Sequence, residues 1–313
     1  MVSSLHLNQP LIEMEETMMT NGFINSNGLK LYYEIEGEGH AVVLLSGGPG
    51  LSHEYLQPLR SLASDAQLVF FDQRGTGRSD KANLQDYTVE ANVEDVEQLR
   101  RELQLDSFIL FGHSWGGMLA QAYALKYPAH VSKLILADTF SSVTELNLSL
   151  MRMRNAAPEA TRAIYDRYEQ EGLYKDRDRY PDEYQAALEI AYEPVFISVP
   201  PPEYLQDVFS KLAYDVYRVM WGEESEFKVT GTLAQFDVTH RLPEIRVPTL
   251  VIVSTTDIPT VAMAQQTAQL IPDAQLEVFE HSRHFPFIEE PETFFNVIRQ
   301  FIQDKPQSRT GAA

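Results

Sequence analysis

No cysteine occurs among the 313 residues of the chain. This absence excludes disulfide scaffolds, thiol nucleophiles, cysteine-ligated zinc sites and cysteine-bound iron–sulfur clusters. Bases are also scarce, with 25 Lys and Arg against 45 Asp and Glu, and the formal net charge is −20. A field of that sign repels a phosphate backbone, and no basic stripe offsets it locally. We therefore expect no nucleic-acid partner.

Long apolar runs are absent from the sequence as well, and its first twenty residues do not match the pattern of a signal peptide. No stretch reaches the ~18 consecutive apolar residues that a membrane-spanning helix needs, so we expect no membrane partner. The first twenty residues carry acids where a signal peptide needs bases, and they have no continuous apolar core. These features predict a cytoplasmic protein.

Short apolar runs alternate with helical patterns along the chain. Such runs are typical of strands buried on both faces of a parallel sheet, so the alternation predicts an α/β fold with helices on both faces. Asn27-Gly28 stands between two alternating runs and predicts a hairpin turn. Predicted helices cover 88–105 and 115–127, follow Asp257 and begin at Pro291. The predicted buried strands are 41–46, 67–72, 107–112, 132–138, 249–255 and 275–280.

One segment interrupts this alternation. From about Phe140 to His240 the sequence has helical patterns and several prolines, Pro181 among them, but no buried-strand run. We interpret this segment as a helical cap inserted between the two halves of one α/β core. The predicted units are tails at 1–21 and 307–313, a core at 22–140 and 241–306, and a cap at 141–240.

The segment 112–116 matches the G-x-S-x-G pattern of a nucleophile elbow. It directly follows the run 107–112 and directly precedes an apolar helical pattern, which is the strand–turn–helix setting that the elbow requires. The alternative is a glycine-rich turn with an incidental serine. We predict that Ser114 is a nucleophile and that His113 beside it has a packing or supporting role.

A nucleophilic serine needs a base, and the base needs a carboxylate to orient it. Asp257 follows the run 249–255, and His281 and His284 follow the next run, in the order acid then histidine. Asp138, at the end of 132–138, is a rival acid, and Asp257 could also be the N-cap of the following helix. The two histidines alone do not make a convincing metal pair, so we expect no metal and no other cofactor.

A glycine-rich loop, Ser46-Gly47-Gly48-Pro49-Gly50, follows the first buried run. Glycines at that place leave backbone N–H groups free to face a developing oxyanion. A phosphate-binding loop is the competing interpretation, but the Gly-Lys-Ser/Thr ending is absent. A dinucleotide fingerprint fails at Gly75-Thr76-Gly77, because no third glycine falls in register.

Taken together, these motifs resemble the prolyl aminopeptidase (proline iminopeptidase) group of α/β-hydrolases. The resemblance rests on SGGPG at 46–50, DQRGTGRS at 72–79, GHSWGG at 112–117 and HSRHFPFIEEP at 281–291, and it extends from about Gly22 to Ile302. It implies a serine hydrolase that releases an N-terminal residue, preferably proline, from small peptides. The roles that it implies are nucleophile for Ser114, acid for Asp257, base for His284, and oxyanion N–H groups for Gly48 and Trp115.

The resemblance also implies a substrate pocket in the cap. It assigns the substrate's free amino terminus to Glu226; a solvated surface acid is the alternative for this residue. If Glu226 binds the amino terminus, we expect the surrounding aromatic residues Trp221, Phe227 and Tyr217 to wall a small pocket for an apolar ring. The sequence departs from the family at Ser46, where His is usual, and at Ile258, where close relatives often have a second amine-binding Glu. An esterase, lactonase or amidase acting on a small neutral acyl compound is therefore the alternative function. A non-catalytic binding module is disfavoured, because such modules commonly lose a triad residue.

Overall fold

The structure is a computed structural model that describes residues 19–172 and 182–304 of the chain. The strands in these residues form one sheet, in which the outer strands at one end are antiparallel and the remaining neighbours are parallel. Its strands are β1 (Thr20–Ser26), β2 (Leu29–Glu36), β3 (Ala41–Leu45), β4 (Gln67–Phe71), β5 (Phe108–His113), β6 (Val131–Ala137), β7 (Thr249–Ser254) and β8 (Ala274–Phe279). Their order across the sheet is β1-β2-β4-β3-β5-β6-β7-β8.

The strand order brings the functional loops to one edge of the sheet. β3, β5, β6 and β7 are parallel neighbours, so their carboxyl ends all lie at the same edge. The loop 46–50, Ser114, Asp138 and Asp257 follow these ends directly or within three residues. The loop 281–284 follows β8, which is the next strand across.

The predicted hairpin joins β1 to β2. Asn27 and Gly28 both have positive φ, 52° and 90°, as a two-residue turn between twisted antiparallel strands requires. The Asn25 side-chain oxygen accepts the N–H of Gly28 at 3.0 Å, and Ser26 pairs with Leu29 across the turn.

The helices occur where the sequence patterns predict them. The Thr88 hydroxyl caps the first by accepting the N–H of Ala91 at 3.1 Å, and acidic Glu90 lies in its first turn, where the helix dipole favours it. The α-helices are α1 (Val89–Glu102), α2 (Trp115–Lys126), α3 (Val143–Ala156), α4 (Glu159–Gln170), α5 (Asp182–Tyr192), α6 (Glu203–Ser210), α7 (Tyr214–Trp221), α8 (Val261–Leu270), α9 (Pro286–Glu289) and α10 (Pro291–Gln303).

Two apolar layers cover the sheet, one on each face. Along β3, Val43 and Leu45 pack into the layer that includes α1 and α2, whereas Val42 and Leu44 pack into the layer that includes α10 and the 3₁₀ segment His53–Leu62. All five residues of β3 are buried. The mostly parallel α/β fold with helices on both faces is confirmed.

The expectation for β8 is wrong in one respect. The sequence predicts a strand buried on both faces, but only Phe279 of its six residues is buried. Among the described strands, β8 is the edge of the sheet and pairs only with β7, and Val278 is 37% exposed. An apolar run does not show whether a strand lies at the centre or at the edge.

The segment predicted as a cap lies between β6 and β7. Its described residues contain the helices α3 to α7 and no strand. The tail at 307–313, most of the tail at 1–21, and Pro181 lie outside the described residues; β1 begins at Thr20, two residues before the predicted start of the core. Over the described ranges, no helix is both long enough and apolar enough to cross a bilayer.

Candidate active site

Ser114 lies in a strained turn between β5 and α2. Its backbone has φ 56° and ψ −123°, a conformation that a side-chain-bearing residue adopts only when its surroundings hold it. Here the N–H of Ser114 donates to Ala137 O at 3.0 Å, and the Thr139 hydroxyl donates to Ser114 O at 2.6 Å. The end of β6 therefore supports the turn that presents Ser114.

Close approaches around this turn require glycine. A Cβ at Gly116 would lie 2.1 Å from the carbonyl oxygen of Leu45 at the end of β3. A Cβ at Gly47, in the loop after β3, would lie 3.0 Å from the Cβ of Ser114. The glycine-rich loop thus packs directly against the predicted nucleophile, as the elbow interpretation expects.

His284 lies against Asp257. Its Nδ1 is 2.8 Å from Asp257 Oδ1, and the N–H of Ile258 donates to the same oxygen at 2.5 Å. Burial lowers the pKa of His284 below its ordinary value, so the ring is neutral. A neutral ring that donates from Nδ1 to a carboxylate has Nε2 available as a proton acceptor.

The structure places the candidate residues of the competing sequence interpretations in different surroundings. His281 is exposed, whereas His284 is only 5% exposed and contacts the acid. Asp257 is not the N-cap of α8; the cap is Thr260, whose hydroxyl accepts the N–H of Met263 at 3.4 Å. Among the residues that the structure describes, no three His, Asp or Glu side chains are grouped as a metal ion would need. Asp138, the rival acid, is completely buried beside Asp257.

A chain of hydrogen bonds joins the glycine-rich loop to the histidine loop. Nε2 of His113 lies 2.7 Å from the carbonyl oxygen of His284, so Nε2 carries the proton. Nδ1 must then accept the hydroxyl proton of Tyr55, at 2.9 Å, and the Tyr55 oxygen in turn accepts the N–H of Gly47 at 2.6 Å. Burial lowers the pKa of His113 well below its usual range, which keeps this ring neutral. His113, for which the sequence predicts a packing or supporting role, therefore connects the glycine-rich loop to the histidine loop.

Gln73 makes a second connection that the sequence analysis does not single out. Its Nε2 donates to the carbonyl oxygen of Ser46 at 2.8 Å, and its Oε1 accepts the indole N–H of Trp115 at 2.7 Å. As the first residue of α2, Trp115 has a backbone N–H with no acceptor inside the helix. Gln73 thus fixes the loop that contains Gly48 relative to the residue that follows Ser114. Its position inside DQRGTGRS is the available sequence signal.

Two consecutive glutamates hold the histidine loop. Glu289 Oε2 accepts the N–H groups of Arg283 at 3.0 Å and Phe285 at 2.9 Å, the two residues that flank His284. Its Oε1 accepts the N–H of Ser198, between α5 and α6, at 2.7 Å. Glu289 therefore fixes the backbone on both sides of His284 and ties it to the segment predicted as the cap.

Its neighbour Glu290 holds the other end of the same loop. Glu290 Oε2 accepts the N–H of His281 at 3.1 Å and the hydroxyl of Ser282 at 2.6 Å. In the sequence, Glu289-Glu290-Pro291 stands out only as the end of the motif at 281–291 that supports the family resemblance. The structure shows that both of its glutamates shape the loop.

Glu226 is half-buried and held by aromatic side chains. Its Oε1 accepts the hydroxyls of Tyr192 at 2.7 Å and Tyr217 at 2.8 Å, and its carbonyl oxygen accepts the indole N–H of Trp221 at 3.1 Å. The rings of Tyr217 and Trp221 are stacked, with centroids 5.4 Å apart. Phe227, by contrast, is completely buried and packs against Tyr165 at 4.7 Å, so its side chain lines no accessible pocket in this structure.

Aromatic rings connect Glu226 to the histidine loop. The ring of Tyr192 lies 5.9 Å from that of Phe196, and Phe196 is stacked on His284 with centroids 6.0 Å apart. On the other side, α7 begins where the N–H of Ala213 donates to Gly50 O, at the end of the glycine-rich loop. The elements that hold Glu226 therefore contact both the histidine loop and the glycine-rich loop.

Comparison with known proteins agrees with this arrangement. Residues 40–291 match the family described as "alpha/beta hydrolase fold". The proline iminopeptidase of Saccharolobus solfataricus is 35% identical over 289 residues, which cover 90% of this chain and 91% of the relative. The chain belongs to the proline iminopeptidase family of α/β-hydrolases.

Solved structures place the fold in the same group. The crystal structure of VinJ is 30% identical, with a TM-score of 0.83 over 91% of this chain and 98% of that one. The proline iminopeptidase of Mycobacterium smegmatis is 27% identical, with a TM-score of 0.79 over 90% of this chain and 97% of that one. The predicted family and the predicted hydrolase class are confirmed.

Proposed function

We propose that this family member is a serine hydrolase that releases an N-terminal residue, preferably proline, from small peptides. The observation that carries the proposal is the hydrogen bond between His284 and Asp257 beside the strained turn at Ser114. The family's other members supply the substrate class. A short peptide is therefore the partner that we propose, and the cytoplasmic location stays a prediction.

The proposed reaction proceeds through an acyl-enzyme. Ser114 Oγ attacks the scissile carbonyl carbon while His284 Nε2 takes the hydroxyl proton, and Asp257 stabilises the resulting imidazolium. The N–H groups of Gly48 and Trp115 donate to the oxyanion. His284 then gives its proton to the leaving amine, the C–N bond breaks, and a water molecule activated by His284 hydrolyses the acyl-Ser114 ester.

We propose that the substrate's free amino group binds at Glu226. A carboxylate that two tyrosine hydroxyls already orient is suited to receive an ammonium, and the ring of Trp221 can cover an apolar side chain. Phe227 contributes to this proposal only by packing beneath the site. These residues belong to the segment 141–240, which we propose is the cap. The core that it covers in this proposal consists of residues 22–140 and 241–306.

One observation favours the alternative, a hydrolase of small neutral acyl compounds. Ile258 directly follows Asp257 and packs against the apolar core cluster. An apolar side chain at this place gives a cationic substrate no second carboxylate, and a desolvated ammonium is costly without such partners. An esterase, lactonase or amidase would need only the triad and the oxyanion N–H groups.

A substrate panel separates the two candidates. We expect the purified protein to hydrolyse proline arylamide faster than N-acetylproline arylamide and faster than a short acyl ester of the same leaving group. Glu226→Gln should raise KM for proline arylamide by about 10-fold and leave ester hydrolysis nearly unchanged. Glu224→Gln, at an exposed acid two residues away, is the matched control. Faster hydrolysis of the blocked substrate or the ester, with no effect of Glu226→Gln, would instead establish the neutral-acyl hydrolase.

A further inference from the structure

Asp138 and Asp257 lie next to each other, and Asp257 contacts Nδ1 of His284. Asp138 immediately follows β6, and Asp257 lies three residues after β7, the parallel neighbour of β6. The N–H of Asp138 donates to Ile252 O at 2.9 Å, and the N–H of Ser254 donates to Asp138 Oδ1 at 2.9 Å. Asp138 has φ 48°, so the backbone itself is turned to hold its carboxyl group against the end of β7.

The two carboxyl groups face each other without solvent. Asp138 and the side chain of Asp257 have no exposed surface. Within the described residues, no N–H or O–H group donates to Oδ2 of either aspartate, yet the two carboxyl groups lie within hydrogen-bonding reach of each other. Two ionised carboxylates are acceptors only, so this contact needs a proton.

The hydrogen bonds and charges around the pair favour Asp138 as the group that holds this proton. Burial raises the pKa of both carboxyl groups well above the ordinary value; their mutual hydrogen bond raises the pKa of Asp138 further and offsets part of the rise for Asp257. Of the other charged or titratable groups in the described part of the chain, His284 faces the pair and lowers the pKa of Asp138, and Glu289 faces it and raises that of Asp257. Asp257 already accepts two N–H groups on Oδ1, which favours its anion.

We propose that Asp138 is a positioning residue of the reaction: its carboxyl group remains protonated and donates a hydrogen bond to Oδ2 of Asp257. The inference rests on the proposed function, because it acts through the acid that orients His284. Asp257 thereby has a donor on each oxygen and keeps Oδ1 directed at His284, and the pair carries one negative charge. The Asp138 proton stays in place throughout turnover.

Two variants separate this role from simple packing. In Asp138→Asn, the amide nitrogen can donate to Asp257 and the amide oxygen can accept the N–H of Ser254, and Asn tolerates a positive φ well. We expect kcat to stay within about threefold of the wild type, since both hydrogen bonds are retained. In Asp138→Ala both are lost, and kcat should fall by about 10- to 100-fold with KM nearly unchanged. Asp65→Asn, a carboxylate paired with Arg299, is the control for the chemical change.

Infrared spectroscopy tests the proton without any substrate. At neutral pH, the wild-type minus Asp138→Asn difference spectrum should show the carbonyl stretch of one protonated carboxylic acid, and the wild-type minus Asp65→Asn spectrum should not. The absence of that band, or equal losses of kcat in the Asn and Ala variants, would overturn the proposal. If Asp138→Ala does not fold, the infrared band and the kcat of Asp138→Asn still test the proposal. Because the infrared result needs no turnover, a wrong substrate class leaves it intact.

Discussion

Nε2 of His113 donates a hydrogen bond to the backbone carbonyl oxygen of His284 over 2.7 Å. His113, which directly precedes the proposed nucleophile Ser114, thus holds the backbone of His284, the proposed base. Their rings also lie in contact, with centroids 4.7 Å apart. The His113 imidazole is therefore one of the contacts that fix His284 relative to Ser114, and it is made by the protein itself without the substrate.

Replacing that imidazole should cost both stability and turnover. In His113→Phe, the His284 carbonyl loses its donor and the Tyr55 hydroxyl proton loses its acceptor, although the Tyr55 oxygen still accepts the N–H of Gly47. Each unsatisfied group in the interior costs about 1–3 kcal/mol. We expect the free energy of unfolding to fall by at least ~2 kcal/mol and kcat by about 10-fold or more. His130→Phe removes a histidine–carbonyl hydrogen bond near the surface and serves as the control. Chemical denaturation and steady-state kinetics provide the measurements; a change in KM alone would show that His113 does not position the base.

Glu289 should control the histidine loop through the backbone. Glu289→Gln keeps the shape of the side chain, but its amide nitrogen cannot accept a hydrogen bond from the N–H groups of Arg283, Phe285 or Ser198. At least one of these donors loses its acceptor, and we expect kcat to fall by about 10-fold, in line with the cost of one unpaired group. Glu292→Gln, at an exposed acid of α10, should have no effect. If the two variants have the same kcat, Glu289 does not position the histidine loop for catalysis.

The loops of the site follow from the sequence because each comes directly after an apolar strand. Ser114 is marked by its place between a strand and a helix, and Asp257 by its place after β7. Contacts between segments that are distant in the sequence could not be predicted in this way. The pairing of Asp138 with Asp257 depends on the register of β6 against β7, and the hydrogen bond of Glu289 to Ser198 depends on how the cap segment meets the core. Local patterns contain neither kind of information, and they likewise cannot show that β8 is an edge strand.

The pH dependence of activity should have an acidic limb set by His284. The base must be neutral to accept the serine proton, and burial places its folded-state pKa below the ordinary 6.5. Activity is therefore present above that pKa and lost as the pH falls through it, so the midpoint of the acidic limb of kcat/KM should lie below about 6.5.

His284→Ala should remove nearly all turnover, while His281→Ala, at an exposed histidine, should leave both the rate and the acidic limb unchanged. The opposite ranking of the two alanine variants would transfer the role of base to His281.

A second histidine, away from the site, should govern the stability of the fold at alkaline pH. His53 is buried between two carboxylates: its Nδ1 lies 2.8 Å from Asp72 Oδ1 and its Nε2 lies 3.5 Å from Glu34 Oε2. Burial alone would lower the pKa of His53, but the two carboxylates outweigh it and raise the pKa from 6.5 to about 9. His53 is therefore a buried cation at neutral pH, and Glu34 is further neutralised by Arg60.

The sign of the effect follows from that raised pKa. The stabilisation is fully present below the unfolded-state pKa of 6.5, declines between 6.5 and about 9, and is absent above it. The interval of about 2.5 pH units corresponds to about 3 kcal/mol in the free energy of unfolding. His53→Gln cannot titrate, so between about pH 6 and about pH 10 the wild type should lose about 3 kcal/mol more stability than the variant does. Urea denaturation of both proteins at the two pH values gives this difference directly. If wild type and variant lose the same free energy of unfolding between the two pH values, His53 is not charged in the folded state. The charges of Asp72 and Glu34 would then have to be balanced by groups other than His53.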